Sequence, residues 1–296
     1  MEVSENVLHR AEELRLSALA MVRAGEVEEA LNVYDTAIAV ADDDETRELI
    51  TINKADALIA LERSGAEVQA LPAILMRRRT PRHTFLSAYA LLFKHRTAGE
   101  IKRAMFYAHI AYDVAVEAEQ VLWKIGALNE LGMAYELDSK FDKAIEYLEQ
   151  ALAEIDAIAD TADQSFSRVA ILQNLAYNKL LVSETVEGLR IFHSILDQIQ
   201  SPSAKSEALI DLCYGYLDLE DYPQARVYGE AGLELATDPR QVRNAHYLLG
   251  EAAYKMNDTD AAEHHFEQLA RFYPQFRNLK TLLFAIDLRS MVNFKL

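Results

Sequence analysis

The sequence has little of the material that crosslinked or irregular folds need. Its 296 residues include one cysteine, 10 glycines and 6 prolines. A lone cysteine excludes an intramolecular disulfide, and the place of Cys213 between Leu212 and Tyr214 predicts a small buried side chain. Few glycines and prolines leave little chain for long irregular loops. Together with the 51% of residues that are apolar and available for burial, this scarcity of Gly and Pro favours an all-helical protein.

Positive charge is also scarce. Lys and Arg number 30 against 47 Asp and Glu, so the formal net charge is −17. Proteins that follow a phosphate backbone normally show the opposite balance, so we expect no nucleic-acid partner. The same charge would speed encounter with a basic protein segment. An acidic surface that aids solubility explains it equally well.

Long apolar runs and the sequence strings of common catalytic sites are absent. Runs such as 88–93 are far shorter than the roughly 20 residues of a membrane span, and residues 1–10 carry charges without a following apolar stretch. We therefore expect no signal peptide, no membrane partner and a cytoplasmic location. No HExxH, paired CxxC, GxxxxGK[ST] or GxSxG string occurs. We expect no enzymatic activity, no cofactor and no metal site.

What the sequence does contain is a helical repeat. The stretch 127–152 reads ALNELGMAYELDSKFDKAIEYLEQAL. Counting from Ile125, the residues at positions seven, eight, eleven, twenty, twenty-four and twenty-seven are Leu131, Gly132, Tyr135, Ala144, Leu148 and Ala151. This spacing resembles the tetratricopeptide repeat, a helix pair of about 34 residues.

The small residue at position twenty recurs along the chain. It is found at Ala30, Ala70, Ala104, Ala144, Gly188, Ala225 and Ala262. Only Ala or Gly fits where the two helices of a unit cross closely, since a larger side chain would push the backbones apart. The units that follow are 11–44, 51–84, 85–118, 125–158, 169–202, 206–239 and 243–276, with a capping helix at about 278–290. We predict one domain, 1–296, an all-α, right-handed superhelical solenoid of about seven repeats.

Glycine and proline mark the predicted turns. Gly25, Gly65 and Gly99 fall between the two helices of a unit, where we expect a left-handed residue to end the first helix. Pro81, Pro202 and Pro239 fall just beyond a second helix, which a proline can end without losing an internal hydrogen bond.

The resemblance implies a concave groove lined by the first helix of each unit at positions two, five, six, nine, twelve and thirteen. The candidate binding residues selected from these positions are Tyr89, Phe93, Asn129, Met133, Gln173, Asn174, Tyr177, Tyr214 and Tyr247. Amide side chains can donate to and accept from an extended peptide backbone, while Tyr and Met supply adaptable apolar contact. The same residue types are also typical of the border between core and solvent on an amphipathic helix, and the sequence leaves both interpretations open.

The resemblance also implies a function. We expect a non-catalytic scaffold or adaptor that binds a partner protein or an extended peptide, of basic character if charge selects it. The alternative is a regulatory sensor similar to bacterial peptide-sensing tetratricopeptide regulators, without an effector domain of its own.

Two smaller features have competing interpretations. The basic cluster 77–83 would grip an acidic partner or RNA, or would simply be solvated at a helix end, where positive charge is favourable. His264 and His265 are adjacent on one predicted helix and point about 100° apart, so we interpret them as surface histidines that share no metal.

Overall fold

The computed structural model describes residues 2–158, 162–275, 278, 281 and 283. All regular structure in these ranges is helical, which confirms the predicted class: fourteen α-helices and one short 3₁₀ turn, Leu196–Gln198. The helices are α1 Glu2–Arg23, α2 Val27–Val40, α3 Asp44–Ala60, α4 Ala66–Arg77, α5 Pro81–Thr97, α6 Ile101–Glu117, α7 Val121–Leu137, α8 Phe141–Asp156, α9 Ala162–Leu181, α10 Thr185–Ile195, α11 Pro202–Asp218, α12 Tyr222–Leu235, α13 Pro239–Lys255 and α14 Thr259–Ala270. Each of the seven predicted units corresponds to two consecutive helices in chain order. The predicted capping helix lies, apart from three residues, outside the described part of the chain.

Short polar side chains determine where many of these helices begin. Six helices start after an Asp, Ser or Thr whose side-chain oxygen accepts a hydrogen bond from a backbone N–H of the first turn. These capping residues are Asp43, Thr80, Ser201, Asp221, Asp238 and Asp258. The prolines that follow three of these caps, Pro81, Pro202 and Pro239, occupy the first turn of the next helix, so they start helices as well as limit the preceding ones. The first helix of the third pair therefore begins at Pro81 and not at residue 85.

Three-residue turns join the two helices in six of the seven pairs. The middle residue of each is left-handed, with φ between 57° and 86°; these residues are Gly25, Gly99, Ser139, Ser183, Glu220 and Asn257. The second pair has a five-residue turn, 61–65, whose left-handed residue is Glu62 with φ 56°. Gly65 has φ −164° and precedes α4 as an extended residue, so the left-handed conformation predicted for Gly65 was wrong.

The close crossing of paired helices follows the predicted small residues. In six pairs the position-twenty residue is the fourth residue of the second helix and is buried. A Cβ atom added to Gly188 would lie 2.8 Å from the Ala176 carbonyl oxygen, which shows how little room such a crossing leaves. The longer turn of the second pair makes Ala70 the fifth residue of α4, where it is only half-buried while Leu71 is fully buried. Ala70 therefore departs from the predicted pattern.

The chain separates into two compact units, 1–138 and 139–296. In the first unit, α1, α3, α5 and α7 pack on one another in succession, and in the second unit α9, α11 and α13 do the same. Within the described ranges, successive second helices of either unit share few or no contacts. The first helices thus lie closer together and form the inner side of each unit's curve. The assignment of 1–296 as one domain stays a prediction.

Within the described ranges, no helix combines the length and the apolar character that crossing a membrane would require.

Candidate functional site

In the first unit, four predicted binding residues lie together on the inner helices. Tyr89 and Phe93 are four residues apart on α5, and Asn129 and Met133 are four residues apart on α7, so each pair shares one helix face. Helix α5 packs directly on α7. All four side chains are half-buried. The structure therefore forms one continuous surface from residues about 40 positions apart in sequence.

A shielded ion pair lies among these four residues. Arg96 Nη1 on α5 donates to Glu130 Oε2 on α7 over 2.6 Å, and the two side chains are 14% and 9% exposed. Tyr89 OH lies 3.4 Å from Glu130 Oε1, the second carboxylate oxygen. Sequence reasoning did not select Arg96 or Glu130. Their repeat positions, twelve and six, belong to the groove-lining set and would have identified them.

Arg96 extends the cluster to the remaining candidates. Its guanidinium carbon lies 4.9 Å from the centre of the Phe93 ring, a cation–π distance. Its Nη1 is also 3.1 Å from Met133 Sδ, and Asn129 Nδ2 is 3.8 Å from the same sulfur. These residues form the Arg96–Glu130 network, whose members are Tyr89, Phe93, Arg96, Asn129, Glu130 and Met133.

Burial governs the electrostatics of this network. Loss of solvent raises the pKa of Glu130, and the adjacent Arg96 guanidinium opposes that rise by favouring the carboxylate. Burial also raises the pKa of Tyr89, helped by the negative charge of Glu130, so its hydroxyl stays protonated and can donate. The network consequently holds one positive and one negative group in a partly desolvated surface beside two aromatic rings.

Aromatic packing supports the network from the side of α5. Phe85 stacks on Trp123 with ring centres 4.7 Å apart and an interplanar angle of 12°. Phe85 also contacts Tyr89 at 5.5 Å. These rings restrict the rotamers of Tyr89, which keeps its hydroxyl directed toward Glu130.

In the second unit, three of the five candidate residues are buried. Tyr177 on α9 is 1% exposed and Tyr247 on α13 is 7% exposed, so little of either ring is accessible to a ligand. Tyr247 belongs to an apolar core that also contains Leu248. Gln173 is buried, and its Nε2 donates to the Ala204 carbonyl oxygen in α11 over 3.3 Å.

The other two candidates of the second unit are more accessible. Asn174 on α9 and Tyr214 on α11 are half-buried, and α9 packs on α11. Binding by any residue of the second unit stays a prediction, and only these two of its five candidate side chains are partly accessible.

The basic cluster 77–83 is largely engaged within the first unit. Arg77 Nε and Arg79 Nε lie 2.8 and 3.0 Å from the carboxylate of Glu48 on α3. His83 is buried, and its Nε2 is 2.8 Å from the Glu45 carbonyl oxygen. These contacts tie the α4–α5 connection to α3, so three members of the cluster are engaged inside the first unit, which neither interpretation predicted.

The structure also locates the cysteine and the adjacent histidines that the sequence analysis discussed. Cys213 is a free, fully buried thiol, as predicted. His264 is exposed, whereas His265 is half-buried and contacts His246, so the surface interpretation was wrong for His265. In the described part of the chain, no group of three or more His, Cys, Asp or Glu side chains is arranged to hold a metal.

Comparisons with known proteins agree with the repeat pattern. Two family models described as tetratricopeptide repeat match residues 127–159 and 244–275. No curated protein sequence matches the chain.

Several solved structures share the fold. The apo form of the quorum sensor NprR from B. thuringiensis aligns with a TM-score of 0.75 and 17% identity, over 99% of this chain and 84% of that one. A Rap protein complexed with competence and sporulation factor aligns with a TM-score of 0.68 and 16% identity, over 97% and 87% of the two chains. NprR in complex with its cognate peptide NprX gives a TM-score of 0.67 and 16% identity, over 90% and 79%. At these identities the similarity is one of fold.

Proposed function

We propose that this chain, which is a tetratricopeptide-repeat protein, is a non-catalytic scaffold or adaptor that holds an extended segment of a partner protein, or a peptide, against the inner faces of its first helices. The Arg96–Glu130 network is the observation that carries this proposal. It places amide, aromatic and thioether groups on one half-buried surface of the first unit.

The chemistry of the network suits an extended peptide. The backbone of such a ligand has unpaired N–H and C=O groups, and the Asn129 amide can both donate and accept. Tyr89, Phe93 and Met133 offer apolar area for the ligand's side chains. Because Arg96 and Glu130 neutralise each other, we expect this pair to orient its neighbours and not to bind a charged ligand group. We expect the net charge of −17 to favour a basic ligand.

A second candidate function is that of a peptide-responsive sensor. Its support is the similarity to NprR, described as a quorum sensor, over 99% of this chain. The two functions differ in what binding does. A sensor should change its radius of gyration in small-angle scattering when a short peptide binds, whereas a scaffold should keep it.

The first experiment identifies the ligand and then tests the surface. Affinity purification with mass spectrometry supplies a candidate partner, and its bound segment is synthesised as a peptide. Calorimetry then compares the parent chain with Asn129→Ala and Phe93→Ala. Loss of the Asn129 amide leaves a ligand group unpaired, which we expect to cost about 1–3 kcal/mol, or roughly 5- to 150-fold in affinity.

The matched control is Asn32→Ala, which removes an exposed asparagine from α2, a second helix of the same unit. This variant should bind as the parent does. If Asn129→Ala and Phe93→Ala remain folded at the assay temperature and still bind with parental affinity, the ligand uses another surface and the proposal fails. Asn174→Ala in the same assay reports whether the second unit contributes.

A further inference from the structure

Two histidines face each other between the helices of the last described pair. His246 Nδ1 on α13 lies 3.0 Å from His265 Nδ1 on α14, and the ring centres are 5.3 Å apart with an interplanar angle of 44°. His246 is 9% exposed and His265 is half-buried. At this distance one imidazole donates to the other, so the contact requires that at least one ring be neutral.

The surroundings of the pair disfavour added positive charge. Burial lowers the pKa of both rings, and that of His265 falls to about 4. His264 on α14 lowers both values further, Arg271 acts on His246, and Arg226 on α12 acts on His265. Glu230 on α12 acts in the opposite direction on His265.

Helix α11 also packs on α13, the helix that carries His246. On α13, Arg243 lies one turn before His246, and its Nε donates to Asn244. In the described ranges, α11 contributes none of the charged groups that shift either pKa. A metal site needs more than two protein ligands, and in the described ranges no third His, Cys, Asp or Glu is arranged to complete one with the two rings.

We infer that the His246–His265 contact is a pH-sensitive latch that holds α13 against α14 at neutral pH and releases this helix pair on acidification. In a solenoid each pair contacts only its neighbours, so one pair can open while others stay closed. Once released, both rings are free to take up a proton, whereas the closed contact requires at least one neutral ring.

The direction of the pH effect follows from the two states. Released histidines titrate near their ordinary pKa of about 6.5, whereas burial holds the values of the closed pair lower. The open state therefore binds more protons. The latch contributes its full stability above pH 6.5 and loses it as the pH falls toward the pKa of about 4 held by His265 in the closed state.

Hydrogen exchange read by mass spectrometry tests the latch between pH 7.5 and 5.0, after correction for intrinsic exchange rates. Below pH 6.5 we expect the opening constant of α13 and α14 to rise up to about tenfold per pH unit for each histidine protonated on opening. Residues 27–60 contain no histidine and serve as the internal reference. The double variant His246→Gln/His265→Gln should lose the pH dependence, and His264→Gln should retain it.

Two results would overturn the latch: opening of α13 and α14 that is no steeper with pH than that of 27–60, or an unchanged pH dependence in the double variant. Ring titration of the parent chain by NMR gives an answer even if the double variant does not fold. We expect both His246 and His265 to titrate below 6.5, and a value at or above 6.5 for either ring contradicts the proposal.

Discussion

The inner helices of the two units carry similar residues at the same repeat positions, yet the residues differ in exposure. Phe93 and Tyr177 both occupy position nine, and Tyr89 and Tyr247 both occupy position five. The pair in the first unit is half-buried, whereas the pair in the second unit lies in the core. Repeat position thus selects the helix face, and the neighbouring helices decide how much of that face solvent reaches.

The Arg96–Glu130 network lies within the half-buried inner surface of the first unit. Arg96 and Glu130 must keep their hydrogen bonds to each other and to adjacent groups, since an unpaired buried charge is costly. This pair extends between α5 and α7 and carries Phe93, Met133 and Tyr89 as its neighbours. The candidate residues of the first unit are therefore joined by a polar pair and half-buried together.

The largest expected effect tests the helix crossings on which both units depend. Ala104→Arg in the first unit and Ala225→Arg in the second should each unfold at least their own helix pair, because both alanines are buried. Overpacking costs about 1–3 kcal/mol and an unpaired buried charge several more. Thermal unfolding followed by circular dichroism measures the loss. Ala70→Arg is the matched control and should cost much less, since Ala70 is half-buried; parental melting of Ala104→Arg would refute the assigned crossing positions.

The next prediction sharpens the contrast at position nine. Tyr177→Ala should lower the free energy of unfolding by about 3–5 kcal/mol, the usual cost of deleting a buried aromatic ring. Phe93→Ala should cost about half as much, because its ring is only half-buried. Chemical denaturation of both variants gives the comparison. Equal losses would mean that the two rings are equally buried in solution.

A third prediction compares the shielded ion pair of the first unit with an exposed one of the second. Glu130→Gln leaves Arg96 without its carboxylate and should cost about 3 kcal/mol in unfolding free energy. Glu187→Gln, which breaks the exposed pair with Arg190 on α10, should leave the free energy of unfolding nearly unchanged. Denaturant titration of the two variants distinguishes these values. A loss below 1 kcal/mol for Glu130→Gln would show that Arg96 remains solvated and that the Arg96–Glu130 network is not rigid.

The smallest expected effect concerns the left-handed turn residues of the two units. Glu62 and Glu220 have φ values of 56° and 60°, which an L side chain adopts with strain. Glycine relieves that strain, so Glu62→Gly and Glu220→Gly should each raise stability by up to about 1 kcal/mol. Gly25→Ala, where φ is 86°, should show the opposite sign in the same melting assay. Destabilisation by both glycine substitutions would contradict the turn conformations.

Much of the fold could be predicted from the spacing of a few residues. The recurrence of Ala and Gly at position twenty predicted seven two-helix units, and in six of them that residue is buried at the fourth position of the second helix. It failed at Ala70 because the turn at 61–65 is two residues longer than the others and shifts the helix relative to the alignment. The same longer turn places Gly65 directly before α4, where its backbone is extended and not left-handed.

The candidate site was predicted only in part. The repeat positions placed Tyr89, Phe93, Asn129 and Met133 on adjoining inner helices, where the structure brings them together. They did not distinguish an accessible ring from a core ring, so Tyr177 and Tyr247 were assigned to the groove along with the others. Exposure depends on the sizes of side chains contributed by other helices, which a single repeat does not record.

By itself, the sequence determined the helical class, the number of pairs and the residues at most crossings, because close packing of two backbones is a local steric requirement that only Ala and Gly satisfy. Tertiary structure alone decided the Arg96–Glu130 pair, since its members are 34 residues apart and meet only where α5 packs on α7. It also decided the contact of His246 with His265 across α13 and α14. Such contacts depend on the distance between side chains of different helices, and packing sets that distance.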